Sequence, residues 1–151
     1  MKVIIVGGGR VGYYLTKVLI EHGHEPTLVE INRKLCEDLA NKFDITVVLG
    51  DGTQPETLKS AGAGKADVIV SVTGKDEDNL ICCQLAKRIF KVKKVIAKAN
   101  NPKNAIAMKK LGVDHVINNI YNIAMLIERE VITSRIKQLL TLNNGEIYIS
   151  E

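Results

Sequence analysis

Residues 1–12 read MKVIIVGGGRVG, an apolar run that ends abruptly in glycines. The β-branched residues within 2–6 are typical of a parallel strand that is buried on both faces of a sheet. Gly7, Gly9 and Gly12 fit the pattern G-x-G-x-x-G. In that pattern the first glycine permits a tight turn, the second lets backbone approach a pyrophosphate, and the third lets a helix pack closely on the strand. The stretch therefore predicts a central strand, a phosphate-binding turn, and a helix whose N-terminal N–H groups face the phosphates.

The residues that follow supply the context that this glycine motif needs, because small residues also recur wherever a strand meets a helix. Arg10–His22 predicts a helix with Gly23 as its C-cap, and Thr27–Ile31 predicts a second strand. Glu30 follows Gly12 by about 18 residues, close to the ~20 at which this fold places a carboxylate for the adenosine ribose hydroxyls. The order of elements predicts a dinucleotide or adenine-nucleotide site rather than a coincidental turn. The apolar stripe expected on the helix comprises Val11, Leu15, Val18 and Leu19.

The length and composition of the chain limit its class. At 151 residues it is about one domain long, and 46% of its residues are apolar. Only 4% are aromatic and Trp is absent, so the core must be aliphatic. The longest apolar runs have the length of strands, far short of the ~20 residues of a membrane span, and no signal-peptide pattern precedes the first strand. The sequence predicts a cytoplasmic protein without direct membrane insertion.

Charge and metal-binding residue types argue against two further classes of function. The formal net charge is +4, and the lysines are spread over several segments without a basic stripe interleaved with aromatic residues, so we expect no nucleic-acid binding. The histidines lack the spacing of metal ligands, and we expect no metal. Cys82 and Cys83 are adjacent, so their side chains diverge around a helix and cannot form a C-x-x-C pair. With Cys36, they are expected to be packing residues in a reducing compartment.

Strand and helix patterns alternate along the rest of the chain. Strands are predicted at 45–49, 67–72, 94–99 and 114–117, and the helices between them are predicted to end near residues 42, 61, 90 and 111. Alternation of this kind predicts a parallel sheet with helices on both faces. We therefore predict an α/β fold, a Rossmann-like doubly wound sheet of six parallel strands in the order 3-2-1-4-5-6.

Polar residues at the carboxyl ends of the predicted strands are candidate ligand contacts, because doubly wound sheets bind ligands at this edge. Asp51, Gly52 and Thr53 follow strand three, close to the expected position of an adenine. An equally weighted alternative is that Asp51 and Thr53 only shape a turn and cap the next helix. Thr73 and Gly74 follow strand four, and in the order 3-2-1-4 they face the same crevice as the glycine turn.

Charged residues near this edge have competing explanations. Glu77 and Asp78 stand at a helix N-terminus, and we interpret them as complementing the helix dipole. Lys98 lies at the ligand-side end of strand five, after the apolar residues 95–97. A phosphate or an acidic partner would explain a lysine there, and extension of its side chain to solvent is the alternative.

The last long segment, residues 120–140, has more apolar residues than one narrow helix stripe can hold. One sheet face cannot cover them all, so a second copy of the chain is the expected partner. Beyond this segment, Asn144 and Gly145 predict a turn, and Glu146–Ser150 predicts a short strand.

Six short motifs combine in a specific way along the chain. They are Gly7–Gly12, Val29-Glu30, Gly50–Thr53, Val72-Thr73 with Asp76 and Asn79, Val95–Lys98, and Gly112–Ile117. In this combination, over residues 1 to about 134, the chain closely resembles the TrkA-type nucleotide-binding regulatory domains of potassium transport. These are also called KTN or RCK N-terminal domains.

The resemblance implies a cytosolic domain that binds NAD(H), with ATP or ADP as alternatives, and that assembles on a potassium-transporter membrane subunit at the inner face of the membrane. It implies that 120–140 is the crossover helix of a homodimer or higher oligomer. Residues 1–134 would form the nucleotide-binding domain, and 135–151 a hinge or tail leading towards a C-terminal lobe. The cofactor-binding residues predicted from the motifs and the resemblance are Gly7, Gly8, Gly9, Arg10, Val11, Gly12, Glu30, Asp51, Gly52, Thr53, Thr73, Gly74 and Lys98.

The chain departs from the family pattern at two places. Lys98 stands where many relatives have Arg, and an ammonium cannot form the bidentate fork with a phosphate. We therefore expect a weaker or water-mediated phosphate contact there. Asn118 and Asn119 stand where relatives often have a Pro and an acid, so we do not expect inherited ion contacts at that place.

Two functions compete on this sequence. The first is a non-enzymatic, nucleotide-sensing regulatory subunit of a potassium uptake system, and the second is an NAD-dependent oxidoreductase or its cofactor domain. Hydride transfer needs a substrate pocket and usually a proton-transfer residue near the nicotinamide, commonly supplied by a second domain. The chain shows neither a second domain pattern nor a positioned His/Asp pair, which favours regulation. A purely structural scaffold, the third possibility, predicts no nucleotide binding.

Overall fold

The structure, a computed structural model, describes residues 1–142 of the chain, without the side chains of Lys137, Thr141 and Leu142. Its strands are β1 (Lys2–Val6), β2 (Glu25–Glu30), β3 (Val47–Leu49), β4 (Val68–Ser71), β5 (Lys94–Lys98) and β6 (His115–Ile117). All neighbouring strands are parallel, and they form one sheet in the order β3-β2-β1-β4-β5-β6. The predicted Rossmann-like α/β fold and strand order are confirmed.

The helices end within two residues of their predicted ends, but the C-cap of the first helix is His22 and not Gly23, which follows it with a φ of +80°. They are α1 (Arg10–Glu21), α2 (Arg33–Lys42), α3 (Pro55–Ser60), α4 (Asp76–Arg88), α5 (Pro102–Lys110) and α6 (Asn119–Leu142). Asn32 caps α2 by accepting a hydrogen bond from the Leu35 amide at 2.9 Å. Pro55 and Pro102 occupy first-turn positions, where a missing amide proton costs little.

Strands β2 and β3 begin at different residues from those predicted. β2 begins at Glu25, because its pairing with β1 already starts at Lys2↔Glu25. Pro26 is tolerated there because β3 pairs with β2 only from Leu28 onward, so the proline lies outside that ladder. β3 starts at Val47 and not at residue 45, because its pairing with β2 begins at Leu28↔Val47.

Hydrophobic clusters lie on both faces of the sheet, because alternate residues of each strand point to opposite sides. Ile4, Val6 and Ile69 pack on one face with side chains from α3, α4 and α5. Ile5 and Leu28 pack on the other face with side chains from α1 and α2. The clusters are almost entirely aliphatic, as the composition predicts.

The cysteines are buried packing residues, as expected. Cys36, Cys82 and Cys83 are all free and buried. Burial raises the pKa of the Cys82 thiol to about 12 and also raises that of Cys83, because desolvation penalises the thiolate. At neutral pH both thiols are uncharged.

The inward face of α1 agrees with the predicted apolar stripe only in part, because Leu15 and Leu19 pack against the core but two other members of the stripe do not. Val11 and Val18 are 39% and 44% exposed, whereas Gly12 and Thr16 are the buried residues of the helix. The helix turns its small residues to the sheet because Gly12 lies directly against the Gly7 carbonyl, a contact that leaves no room for a side chain. The Thr16 hydroxyl donates to the Gly12 carbonyl at 2.7 Å, which satisfies it inside the core.

The described part of the chain divides into two units, residues 1–118 and a second unit that begins at Asn119. The second unit contains α6, a continuous helix through the predicted crossover segment 120–140. No helix within residues 1–142 has both the length and the apolar character required to cross a membrane. The predicted turn at Asn144-Gly145 and strand at Glu146–Ser150 lie outside the described residues, and the predicted boundary at 134/135 stays a prediction.

Candidate functional site

A crevice of about 560 Å³ opens at the carboxyl ends of the central strands. It lies where the strand order passes from β1 to β4, the switch point at which doubly wound sheets bind ligands. Most of the predicted site residues meet here, because the loops that follow β1, β2, β3 and β4 all end at this edge. Those lining the crevice are Gly7, Gly9, Glu30, Asp51, Gly52, Thr53, Thr73 and Gly74.

The glycine turn combines close packing with open space. Gly7 has a φ of +111°, and a Cβ there would lie 3.1 Å from the Thr73 amide nitrogen at the end of β4. An added Cβ at Gly9 would meet no atom of the described residues within 4 Å. Gly9 is the N-cap of α1, and among the described residues no side chain caps the helix there. The first amides of α1 are therefore available to an anion in the crevice.

The Glu30 carboxylate is held beside the glycine turn at the tip of β2. Its Oε1 accepts from the Gly8 amide at 2.8 Å, and its Oε2 accepts from the Asn32 amide at 2.6 Å. A Cβ at Gly8 would lie 3.3 Å from the Glu30 Cγ and 2.6 Å from the Leu39 Cδ1, so Gly8 lets the two segments approach closely. Each carboxylate oxygen has a second lone pair with which it can accept from a ribose hydroxyl.

The loop after β3 shows the turn-shaping role left open for Asp51 and Thr53, while ligand contact by these residues stays a prediction. The Asp51 Oδ1 accepts from the Thr53 amide at 2.9 Å and from the Thr53 hydroxyl at 2.7 Å, which shapes the turn. Both residues also line the crevice. The N-cap of α3 is Gln54 and not either of these residues. A Cβ at Gly52 would contact the Val6 side chain, so Gly52 lets this loop pack on β1.

Comparison with known proteins decides the family. The TrkA-N domain model matches residues 3–119, more than half of the chain. This chain belongs to the TrkA-N family. It is 40% identical over 149 residues to a Trk system potassium uptake protein TrkA homolog of Methanothermobacter thermautotrophicus, which covers 99% of this chain and 68% of that protein. It is 34% identical over 146 residues to the Trk system potassium uptake protein TrkA of Vibrio alginolyticus, covering 93% of this chain but 30% of that protein.

Solved structures share the fold of this TrkA-N domain. The TrkA-N domain of the inner membrane protein ybaL from Escherichia coli has a TM-score of 0.79 at 20% identity, covering 85% of this chain and 94% of that one. A structure described as the GsuK channel bound to NAD has a TM-score of 0.70 at 21% identity, covering 77% of this chain and 21% of that one. At these identities the likeness shows the fold alone.

The first turn of α4 contributes residues that sequence reasoning did not assign to the site of this TrkA-N domain. Lys75 and Asp78 line the crevice, Lys75 exposed and Asp78 half-buried. From the sequence alone, Asp78 was interpreted as complementing the helix dipole. The signal for a second role is spacing, because Asp78 lies five residues after Thr73 and within the first turn of α4, close to the preceding loop.

Asn79 of α4 positions the part of the crevice that follows β4. The sequence predicted no role at the site for this residue. It is fully buried, and its Oδ1 accepts from the Ser71 hydroxyl at 2.9 Å and from the Thr73 amide and hydroxyl at 3.0 and 2.7 Å. Its Nδ2 donates to the carbonyls of Thr73 and Lys98 at 3.1 and 2.8 Å. These bonds fix Thr73 where it faces the crevice and join the ends of β4 and β5.

Asp76 is a structural anchor of the same helix turn. Its carboxylate accepts from the amides of Asn100 and Asn101 at 2.6 and 3.0 Å and from the side-chain amides of Asn100 and Asn104 at 2.9 and 2.7 Å. Burial opposes the charged form, but these hydrogen bonds outweigh it and lower the pKa of Asp76. The acids of the first turn of α4 therefore differ: Asp76 anchors α5, Glu77 is exposed, and Asp78 lines the crevice.

The remaining predicted site residues do not line the crevice. Gly8 and Arg10 border an adjoining groove of about 440 Å³ beside Tyr13 and Tyr14. Val11 is exposed on α1, and Gly12 is used for packing. Lys98 is partly buried at the end of β5, where its carbonyl accepts from Asn79. Ligand contacts for these residues stay predictions. Within residues 1–142 no group of His, Cys, Asp and Glu side chains is placed to hold a metal ion.

Proposed function

We propose that this TrkA-N domain is a nucleotide-sensing regulatory module of a potassium uptake system that binds NAD(H), with ATP or ADP as alternative ligands. The observation that carries the proposal is the Glu30 carboxylate, held by the Gly8 amide at 2.8 Å beside the open space at Gly9. A ribose acceptor next to open space at a helix N-terminus is the arrangement that a dinucleotide requires.

The proposed position of the nucleotide follows from the order of the lining residues. Asp51 and Thr53 border the adenine, and Glu30 accepts from the adenosine ribose hydroxyls. The pyrophosphate lies against the Gly7–Gly9 turn and the N-terminus of α1, and the rest of the ligand extends towards Thr73 and Gly74. This path runs along the carboxyl edge from β3 to β4, and all of these residues line the same crevice.

The proposed partner is a membrane potassium transporter or channel. Support comes from the relatives, which are named Trk system potassium uptake proteins, although one of them is covered over only 30% of its length. The domain would act in the cytoplasm at the inner face of the membrane through that partner. The exposed apolar side chains of α6, such as Leu126 and Ile127 at 61% and 60%, favour a homodimer or higher oligomer.

The oxidoreductase alternative has less support. Tyr13 and Lys17 on α1 have the Tyr-x-x-x-Lys spacing of some dehydrogenases, but the Tyr13 ring packs against the Phe43 ring with centroids 5.1 Å apart. Neither residue lines the crevice at Thr73 and Gly74, where the proposed nicotinamide lies. We therefore propose a non-enzymatic role. Oxidation of NADH on addition of small carbonyl substrates would contradict it.

Calorimetry with NAD⁺ and NADP⁺ tests the proposed ligand and the role of Glu30. A 2′-phosphate beside Glu30 would place like charges close together, at about 1 kcal/mol or more, so NAD⁺ should bind at least ~5-fold more tightly. Glu30→Ala should weaken NAD⁺ binding and remove this discrimination. Glu25→Ala, at the exposed opposite end of β2, is the matched control and should behave as the wild type. Equal binding of NADP⁺, or NAD⁺ affinity unchanged in Glu30→Ala, would remove Glu30 from the site.

A further inference from the structure

The fold gathers at one edge of the sheet many of the lysines that are spread along the sequence. In a parallel sheet all strands begin at the same edge, and the helices that precede them end there. The starts of β1, β4 and β5 are neighbours in this sheet, with about 5 Å between adjacent strands. This edge lies opposite the carboxyl ends at which the crevice opens. We call the exposed basic residues along it the basic edge: Lys2, Lys65, Arg88, Lys91, Lys93 and Lys94.

Few acids oppose the charge of the basic edge. Asp114 is paired with the partly buried Lys87 at 2.9 Å, and the Asp67 carboxylate accepts from the backbone amide at the start of β1 at 2.8 Å. Within residues 1–142, none of the side chains of the basic edge makes a hydrogen bond or ion pair. Glu25 and Asp44 lie at the starts of β2 and β3, on the other side of β1. The positive charge is therefore concentrated at β1, β4 and β5.

Helix dipoles explain only part of this charge. Arg88 is in the last turn of α4, where a cation offsets the negative end of the helix. Lys2, Lys93 and Lys94 lie outside the helices. Lys91 has a φ of +57°, a conformation that glycine adopts at less cost. These lysines place free positive charge in solvent without a partner in the described part of the domain.

Exposed apolar side chains are interspersed with these charges. Ile89 is 54% exposed and lies between Arg88 and Lys91, and Leu111 is 47% exposed at the end of α5. Lysine ammonium groups on flexible stems suit a diffuse layer of phosphates. Aliphatic side chains gain free energy at a lipid interface but little from the phosphates of a nucleic acid. The mixture of lysine and aliphatic residues therefore fits an anionic bilayer.

We propose that the basic edge docks the domain on an anionic lipid surface, with its ammonium groups among the lipid phosphates and Ile89 at the headgroup boundary. The contact is peripheral and requires no membrane-spanning helix. It directs the opposite edge of the sheet, with the crevice, towards the aqueous phase. The proposal is independent of the proposed nucleotide function, because no residue of the basic edge lines the crevice.

Co-sedimentation of the full chain with lipid vesicles tests this docking. Vesicles of phosphatidylcholine and phosphatidylglycerol in equal amounts should bind the protein at low salt, and vesicles of phosphatidylcholine alone should not. A lysine near an anionic surface contributes about fivefold in affinity, so the triple variant Lys91→Gln/Lys93→Gln/Lys94→Gln should bind on the order of 100-fold less tightly. Thermal unfolding of this variant should match the wild type, because the three side chains are exposed.

The matched control removes the same net charge from the opposite edge. Arg33, Lys34 and Lys103 are exposed in the first turns of α2 and α5, near the carboxyl ends of the strands. The variant Arg33→Gln/Lys34→Gln/Lys103→Gln should bind the anionic vesicles like the wild type. Equal losses in the two triple variants would show that only net charge matters, and would overturn the assignment to the basic edge.

The remaining arms distinguish a bilayer from other partners. Ile89→Asn should weaken binding to the anionic vesicles severalfold while the fold is retained. Binding to duplex DNA or to polyglutamate that is as tight as binding to the anionic vesicles would assign the edge to another polyanion or reject its charge selectivity, and would overturn the proposal. Binding to phosphatidylcholine alone, or binding that high salt leaves unchanged, would point to the apolar surface of α6 and would also overturn it.

Discussion

Gly9 and Gly12 stand in the same turn but have different surroundings. Gly9 has a φ of −72°, which any residue adopts, and no described atom lies within 4 Å of an added Cβ. We predict that Gly9→Val folds normally and abolishes NAD⁺ binding, because its side chain would fill the space proposed for the pyrophosphate. Thermal unfolding followed by calorimetry measures the two effects separately.

Gly12→Val is the matched comparison for this prediction. Its Cβ would overlap the Gly7 carbonyl, so α1 would have to move away from β1. We expect a loss of about 3 kcal/mol or more in the free energy of unfolding. A folded Gly9→Val protein that binds NAD⁺ like the wild type would place the ligand elsewhere.

At the scale of elements, the Asp76 carboxylate joins the first turn of α4 to the N-terminus of α5. Its folded-state pKa is lowered below the ordinary 3.8, so its stabilisation is present above that value and is lost as the pH falls through the folded pKa. In Asp76→Asn a side-chain NH₂ group would face the donors of Asn101 or Asn104, which then lose their acceptor. We expect this to lower the free energy of unfolding by about 2 kcal/mol at pH 7. Urea unfolding at a series of pH values measures the difference from the wild type.

The pH dependence of this difference is the informative result. It should shrink as the pH falls below about 3.8, because the unfolded carboxyl binds a proton there before the folded one does, and it should be lost once the pH is below the lowered folded pKa. Glu77→Gln, exposed in the same turn, controls for the charge at the end of α4 and should change the stability little at either pH. A deficit of equal size at pH 7 and pH 3 would show that packing, and not ionisation of Asp76, connects the helices.

At the scale of the whole molecule, α6 leaves an unusual amount of apolar surface exposed within the described chain. Its side chains that are at least 41% exposed include Ile120, Ile123, Leu126, Ile127, Val131, Ile132 and Ile136. We predict a dimer or larger assembly that buries this surface, because a monomer rarely exposes so many apolar residues on one helix. Sedimentation and solution scattering of the protein alone, with NAD⁺ and with NADH measure the assembly and its response to ligand.

Ile127→Asp should dissociate this assembly, because a carboxylate would be desolvated in the interface. Asn122→Asp adds the same charge at an exposed polar position of α6 and should retain the assembly. A ligand shifts the assembly only by its differential affinity for two arrangements, and ~1–3 kcal/mol of coupling would suffice to bias a transporter gate. A wild-type monomer in every ligand state, or an assembly that Ile127→Asp leaves unchanged, would contradict a ligand-responsive assembly through α6. The domain would then bind nucleotide passively.

Much of the fold could be predicted because its signals are local. The apolar run 2–6, the glycines after it and the alternation of strands with helices specify parallel βαβ units, and right-handed connections then limit the strand order. The crevice residues Glu30, Asp51 and Thr73 followed from the same rule, because the carboxyl ends of neighbouring parallel strands meet at one edge. Each of these inferences needs only the order of residues along the chain.

The tertiary structure decided what depends on how a helix is rotated against the sheet. Val11 and Val18 have the spacing of a core stripe but are exposed, because the contact of Gly12 with the Gly7 carbonyl turns the neighbouring side of α1, with Leu15, Thr16 and Leu19, inward. The same kind of rotation places Asp78 in the crevice, Glu77 in solvent and Asp76 against α5. From the sequence these three acids cannot be told apart, because the helix dipole favours a negative charge at each of their positions. Only the packing of the helix distinguishes the acid that lines the crevice from the acid that anchors α5.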